Sequence, residues 1–235
     1  MDRLREIVGL SREMSAEMDS QSWDFQGYVL NPLDYAWDNY SSFLSLSIRD
    51  GARILFLGMN PGPYGMMQTG VPFGEVDAVR NYLGITGEID IPEINPPLKP
   101  VIGMGIKRHE VSGRKFWKMA SDFGSPDEFF EKAAVFSFCP LAFIDGRRNI
   151  TPDELPKTDR SRIDSICMKY LERLLEVLKP ARAIALGHYA EKKLEKAGME
   201  KVEYFSHPSP RSSLSMAFWD SGEALERFRR LACGS

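Results

Sequence analysis

The sequence of 235 residues predicts an α/β fold, a three-layer α/β/α sandwich with a central, mainly parallel four-stranded sheet. Four short apolar runs, at residues 54–57, 133–138, 181–186 and 202–205, are typical of strands buried on both faces. Segments with the apolar spacing of helices separate these runs. Because strands that alternate with helices favour a parallel sheet covered on both sides, these two observations together predict the class.

The helices follow from the spacing of apolar residues. The clearest covers residues 158–179, where apolar residues recur every three or four positions until Pro180 ends the helix. The other predicted helices lie at residues 3–19, up to 47, 76–83, from 110, 189–197 and 219–231. Residues 85–107 are rich in proline and glycine and show no sustained period, so we expect an ordered loop there.

Composition limits the kind of protein. A chain with 43% apolar residues can bury a sizeable core, and we expect a single domain over residues 1–235. The sequence lacks an apolar run of 18 residues and an apolar secretion signal at its start, which predicts a cytoplasmic protein without a membrane segment. Three separated cysteines, Cys139, Cys167 and Cys233, suit a reducing compartment and exclude a four-cysteine cluster within one chain.

The charge of the chain neither predicts nor excludes binding to nucleic acid. The formal net charge of −3 argues against electrostatic attraction of nucleic acid by the whole surface. Basic clusters nevertheless occur at residues 107–109, 114–115, 147–148 and 160–162. They are either ordinary solvated surface charge or, if they converge on one face, a track that binds phosphate.

The loop after the first strand is the strongest candidate for a binding site. Its glycines permit close backbone approach and its prolines stiffen the chain. Ligands of open α/β sheets bind beyond the carboxyl ends of strands, so Asn60, Met66, Gln68 and Phe73 are candidates to line a pocket. A rigid turn without a ligand is the alternative, and neither G-x-x-x-x-G-K-[ST] nor G-x-G-x-x-G occurs.

A second candidate loop follows the fourth strand and carries His207. In a parallel sheet this loop lies at the same edge as Asn60. The other histidines, His109 and His188, have no second ligand at metal-binding spacing in the sequence, so no metal site is predicted. No G-x-S-x-G motif occurs, and Cys139 has no evident base beside it, which argues against a serine or cysteine nucleophile.

Two long motifs carry a resemblance to a known family. The first is Gly58-Met59-Asn60-Pro61-Gly62-Pro63 with Gln68-Thr69-Gly70-Val71-Pro72-Phe73-Gly74-Glu75, and the second is His207-Pro208-Ser209-Pro210-Arg211. Further matches lie at residues 31–37, 110–113, 116–117, 139–141 and 149–155. Over nearly the whole chain the sequence resembles the single-strand-selective monofunctional uracil-DNA glycosylases of the uracil-DNA glycosylase superfamily.

The resemblance implies a function and a role for each motif residue. The protein would excise uracil, and other deaminated or oxidised bases, from single- and double-stranded DNA, as a monomer without cofactor or metal. Asn60 would hold the water that attacks the sugar C1′, and His207 would hydrogen-bond the pyrimidine O2. The residues implied to bind the extruded base are Met59, Gly62, Met66, Phe73 and Ser137. Those implied to wedge into the duplex are Pro210, Arg211 and Ser212.

One position departs from the family pattern. The family carries an asparagine two residues before the Cys-Pro of the second strand, whereas this chain has Ser137. A hydroxyl both donates and accepts hydrogen bonds, so it cannot discriminate uracil from cytosine as an oriented amide does. Weaker or broader base selection is therefore expected. Two rival functions remain: a DNA-damage or single-strand-binding protein with little or no catalysis, and a small-molecule enzyme on a Rossmann-like sheet.

Overall fold

A computed structural model describes residues 3–209 and 213–234. Their strands are β1 (Tyr28–Leu30), β2 (Ile54–Gly58), β3 (Ala133–Ser137), β4 (Ala142–Asp145), β5 (Arg148–Ile150), β6 (Arg182–Leu186) and β7 (Val202–Phe205). Their α-helices are α1 (Arg3–Asp19), α2 (Pro32–Tyr35), α3 (Trp37–Ser47), α4 (Met66–Thr69), α5 (Val111–Phe123), α6 (Pro126–Phe130), α7 (Lys157–Leu178), α8 (His188–Lys196), α9 (Ser213–Asp220) and α10 (Glu223–Cys233).

The central sheet has the strand order β3-β2-β6-β7, and every pairing in it is parallel. All five residues of β2 are buried, as expected for a strand covered by helices on both faces. The register places Gly58 opposite Ser137 and Leu186 opposite Phe205, so all four strands end at one edge. The predicted three-layer α/β/α fold is confirmed.

Aromatic packing fixes the helices on this sheet. The ring of Phe56 in β2 contacts Phe116 of α5 edge-on, with ring centroids 5.2 Å apart, and lies 5.3 Å from Phe228 of α10. Such pairs stabilise a core beyond the area they bury, by about 1 kcal/mol each. Of the described residues, none belongs to a helix with the length and apolar composition needed to cross a bilayer.

A second sheet was not predicted from the sequence. It is antiparallel, with the order β1-β4-β5, and Asp145 pairs with Arg148 across a two-residue turn. Gly146 in this turn has φ +55°, a conformation that glycine adopts without strain. Gly146 is the first of the two turn residues, the position that glycine occupies in type II′ hairpin turns.

The predicted C-terminal helix is also divided in the structure. α9 begins at residue 213, before the predicted start, and Gly222 at φ +82° separates it from α10. The left-handed backbone at this position interrupts the helical hydrogen bonding. Glycine adopts this conformation without the strain that a side chain would cause. This division matters for the site, because α9 contacts the loop that carries His207.

Candidate functional site

A cavity of about 1040 Å³ opens at the carboxyl edge of the central sheet. The catalytic and base-binding residues that the resemblance implies all line it: Met59, Asn60, Gly62, Met66, Phe73, Ser137 and His207. Residues Pro210, Arg211 and Ser212, predicted to form the wedge, lie outside the described residues. The two loops singled out in the sequence thus contribute to one cavity, as the edge of a parallel sheet requires.

The loop after β2 continues the hydrogen bonding of the sheet past its last residue. The amide of Phe138 donates to the carbonyl of Gly58 at 2.9 Å, and that of Cys139 donates to Met59 at 2.8 Å. Asn60 follows, and its Nδ2 donates to the carbonyl of Leu141 at 3.3 Å. This bond orients the amide, and Oδ1 is the atom of Asn60 that can accept a hydrogen bond from a water or substrate.

Phe73 has an unusual backbone conformation, with φ +53°. Its carbonyl accepts hydrogen bonds from the indole of Trp117 at 3.0 Å and from the amide of Glu75 at 2.7 Å, which hold this strained geometry. One face of the ring stacks on Phe116 with centroids 4.9 Å apart. A side chain at Gly58 would come within 2.7 Å of the ring, so this glycine allows the ring to lie over β2.

The position of His207 is set by contacts to its backbone. The indole of Trp219 in α9 donates to the carbonyl of Ser206 at 2.8 Å, and the hydroxyl of Ser215 donates to the carbonyl of His207 itself. Gly187 has φ +94°, and a Cβ there would lie 3.3 Å from the Cβ of His207. The imidazole ring lies 6.2 Å from the Phe73 ring, centroid to centroid.

Ser137 ends β3 directly opposite Gly58. Its hydroxyl donates to the thioether sulfur of Met66 at 3.6 Å, a weak bond that an incoming polar group could replace. Met66 itself begins the short helix α4 and is buried. The two side chains therefore form one wall of the cavity.

Gln68 does not line the cavity, contrary to the prediction from the sequence. It is fully buried, and its Nε2 donates to the carbonyls of Pro63 and Pro100 at 2.9 and 3.0 Å. Its Oε1 accepts from the amides of Ile102 and Gly103 at 2.9 and 3.2 Å. Gln68 thus fastens the proline-rich loop of residues 85–107 to the loop after β2.

Replacement of Gln68 by leucine should lower the free energy of unfolding by about 2 to 4 kcal/mol, because the buried amide of Gly103 and three partly buried backbone groups lose their hydrogen-bond partner. Urea unfolding of the variant and the parent measures the difference. Gln26→Leu is the matched control, since Gln26 is exposed and its amide donates to the carbonyl of Asp24. A loss below about 1 kcal/mol for Gln68→Leu would contradict this account.

Glu110 is a residue at the site that the sequence analysis did not single out. It lines the cavity, and its carboxyl oxygens lie where a Cβ of Gly62 or Gly65 would project. The residue as a whole is partly exposed, but its carboxyl group is enclosed by this loop. Burial raises the pKa of Glu110 to about 7, against the opposing hydrogen bond from the amide of Gly113 and with a smaller contribution from Glu75.

The raised pKa of Glu110 predicts that stability falls as pH rises through neutrality. The folded protein keeps this proton up to about pH 7, whereas a carboxyl in the unfolded chain loses it near 4.5. Between these values the folded state binds more protons, so the free energy of unfolding should drop by about 2 to 3 kcal/mol from pH 5 to pH 8. Thermal unfolding across this range measures the drop. In Glu110→Gln it should largely vanish, and an equal drop in both proteins would contradict the assignment.

The fold also brings together three potential metal ligands that are not paired by sequence spacing. Ligand atoms of Glu75, Asp77 and His109 lie within 4.8 Å of one another. His109 Nδ1 is 2.6 Å from an oxygen of the buried Glu75, whose other oxygen accepts from the amide of Ala78 at 3.0 Å. Both oxygens of Glu75 are thus committed to hydrogen bonds within the protein. An ion would have to displace the one to His109.

Comparisons with known proteins show the family to which this chain is similar. Residues 47–229 match the model of the uracil DNA glycosylase superfamily. The single-strand selective monofunctional uracil DNA glycosylases of Mus musculus and Rattus norvegicus are each 40% identical over 212 residues, covering 87% of this chain and 76% of theirs. The corresponding protein of Bos taurus is 39% identical over the same length.

Solved structures give the same fold. The crystal structure of wild-type SMUG2 from Pedobacter heparinus superposes with a TM-score of 0.71 and covers 98% of both chains at 19% sequence identity. Sequence and fold therefore agree with the resemblance carried by the two motifs. This chain belongs to the uracil DNA glycosylase superfamily and, within it, to the family of the single-strand selective monofunctional enzymes.

Proposed function

We propose that this protein hydrolyses the N-glycosidic bond of uracil in DNA and leaves an abasic site, as a monofunctional glycosylase of base excision repair. The observation that carries the proposal is that Asn60, at the end of β2, and His207, at the end of β7, line one cavity. Family membership supports the same reaction.

Extrusion of the target base from the DNA is the first requirement. It costs a few kcal/mol, which a fitted pocket must return by stacking and by contacts to the base edge. The ring of Phe73 is fixed on one face by Phe116 and is suited to stack on the base. The same cavity is lined by Met59, Gly62, Met66 and Ser137.

Bond cleavage places negative charge on uracil and positive charge on the sugar. The C1′–N1 bond breaks with its electron pair leaving on uracil, the water oxygen bonds to C1′, and uracil takes up the proton that the water loses. His207 donates a hydrogen bond to O2 and stabilises the leaving group. Asn60 orients the water through Oδ1, because an amide is too weak a base to deprotonate it.

The proposal is tested by a glycosylase assay. A labelled single-stranded oligonucleotide with one uracil is incubated with the protein in EDTA and then treated with alkali, which cleaves the strand at an abasic site. Strand scission that depends on both uracil and protein is the expected result. Binding of the uracil oligonucleotide without scission would contradict the proposed function and support the rival, a damage-binding protein without catalysis.

Ser137 is predicted to relax the choice of base. Ser137→Asn should raise the ratio of kcat/KM for uracil over cytosine by about tenfold, because an oriented amide adds about one hydrogen bond specific to the uracil edge. Single-turnover assays with matched uracil and cytosine oligonucleotides measure the ratio. Identical ratios for the variant and the parent would show that this position does not read the base.

A further inference from the structure

Two cations lie beside an aromatic ring at the rim of the cavity, in an arrangement that the proposed mechanism does not use. Tyr64, in the loop after β2, and Arg108, just before α5, both line the cavity. The guanidinium carbon of Arg108 lies 4.2 Å from the centre of the Tyr64 ring, and Nζ of Lys99 lies 5.8 Å from it. Cations at such distances are attracted by the face of the ring, so Tyr64 holds both in place.

The segment that carries Lys99 is fixed, although it contains little regular structure. Asn95 donates to the carbonyl of Val101 at 3.0 Å and accepts from its amide at 2.7 Å, which closes a loop around Lys99. The buried Gln68 then ties Pro100 to Pro63, directly beside Tyr64. The fold therefore positions Lys99 beside Tyr64, which itself lines the cavity.

The charges of this cluster are not balanced. Burial and the nearby Arg108 lower the pKa of Lys99, as expected when like charges are held together. The neighbouring side chains of His109 and Arg114 lie within 4.0 Å of Glu75. In the part of the chain that the structure describes, no ion pair joins Lys99 or Arg108 to a carboxylate at that distance. A bound anion would remove the repulsion between the two cations.

We propose that Lys99 and Arg108, held by Tyr64, bind a phosphodiester of the DNA strand beside the nucleotide that enters the cavity. Phosphate contacts of this kind position a strand without reading its sequence. They give a protein with a net charge of −3 a local attraction for DNA at the place where the target base enters. This inference rests on the proposed function.

The experiment combines a double variant with neutral phosphate replacements. Parent, Lys99→Gln/Arg108→Gln and the control Lys192→Gln/Lys196→Gln are assayed on a single-stranded uracil oligonucleotide between 50 and 300 mM salt. The control changes the formal charge equally, on exposed positions of α8 that do not line the cavity. A second series carries one methylphosphonate at each of the phosphates nearest the uracil.

The cavity variant is expected to lose about tenfold in kcat/KM, and its salt slope should be shallower by about 0.7, the value for one phosphate contact on a single strand. One methylphosphonate should impair the parent and the control but not the cavity variant. Unchanged slope and unchanged methylphosphonate penalties in the cavity variant would overturn the subsite. A parent that cleaves no uracil DNA would instead overturn the proposed function, so the two failures are distinguishable. Equal melting temperatures verify that the variants are folded.

Discussion

His207→Ala should lower kcat for uracil excision by about 10²- to 10³-fold, with the affinity for uracil DNA little changed. The hydrogen bond to O2 strengthens as charge develops on the leaving base, so its loss raises the barrier more than it weakens binding. One such preorganised donor is worth about 3 to 4 kcal/mol in comparable sites. The side chains of Trp219 and Ser215 donate hydrogen bonds to the backbone carbonyls of Ser206 and His207. Because these bonds hold the backbone in place, His207 needs little reorganisation during the reaction.

Single-turnover rates and the dissociation constant for uracil DNA separate the two effects. His207→Gln keeps an N–H donor and should recover part of the lost rate. His188→Ala is the matched control, because this second histidine also lines the cavity but pairs with Glu191 on the exposed start of α8. A rate for His207→Ala within fivefold of the parent would remove this residue from the catalytic role.

Asn60→Ala should lower kcat by about 10²-fold, again with little change in binding. The amide positions a water for attack on C1′, and misplacement of a reacting atom by about 1 Å costs a factor of this size. The bond from Nδ2 to the carbonyl of Leu141 fixes the amide, so its oxygen is held ready for that water. Single-turnover cleavage of the uracil oligonucleotide measures the loss.

Asn60→Asp tests how the side chain is oriented. A carboxylate accepts a hydrogen bond from water at least as well as an amide does, but it cannot donate to the carbonyl of Leu141 and would face that oxygen with like charge. We expect it to cleave faster than Asn60→Ala and more slowly than the parent. Full activity in Asn60→Ala would show that another group holds the water.

The strands of the central sheet could be predicted because they are buried on both faces. A fully buried strand such as β2 has to be apolar throughout, and that pattern stands out in the sequence. The strands β1, β4 and β5 have only three or four residues each, and the pairing of β1 with β4 joins residues far apart in the chain. Neither their length nor their spacing distinguishes them from loops.

The site residues that belong to motifs at strand ends could be predicted from the sequence. Gly58 and the residues after it follow directly from the end of β2, and His207 follows from the end of β7, so topology alone predicted a shared edge. Gln68 was assigned wrongly because whether an amide faces a cavity or the protein interior depends on packing. Glu110 was missed for the same reason, since its raised pKa comes from burial against Gly62 and Gly65.

The sequence by itself determined the four strands of the central sheet, the succession of strands and helices along the chain, and the two loops that carry Asn60 and His207. It could do so because periodicity and the position of a residue at a strand end are local properties. Only the tertiary structure decided which side chains meet across distant segments. The cluster of Tyr64, Lys99 and Arg108, the support of His207 by α9 and the enclosure of Glu110 all join residues from separate parts of the chain. The physical reason is that burial and charge pairing are set by packing, which no single segment contains.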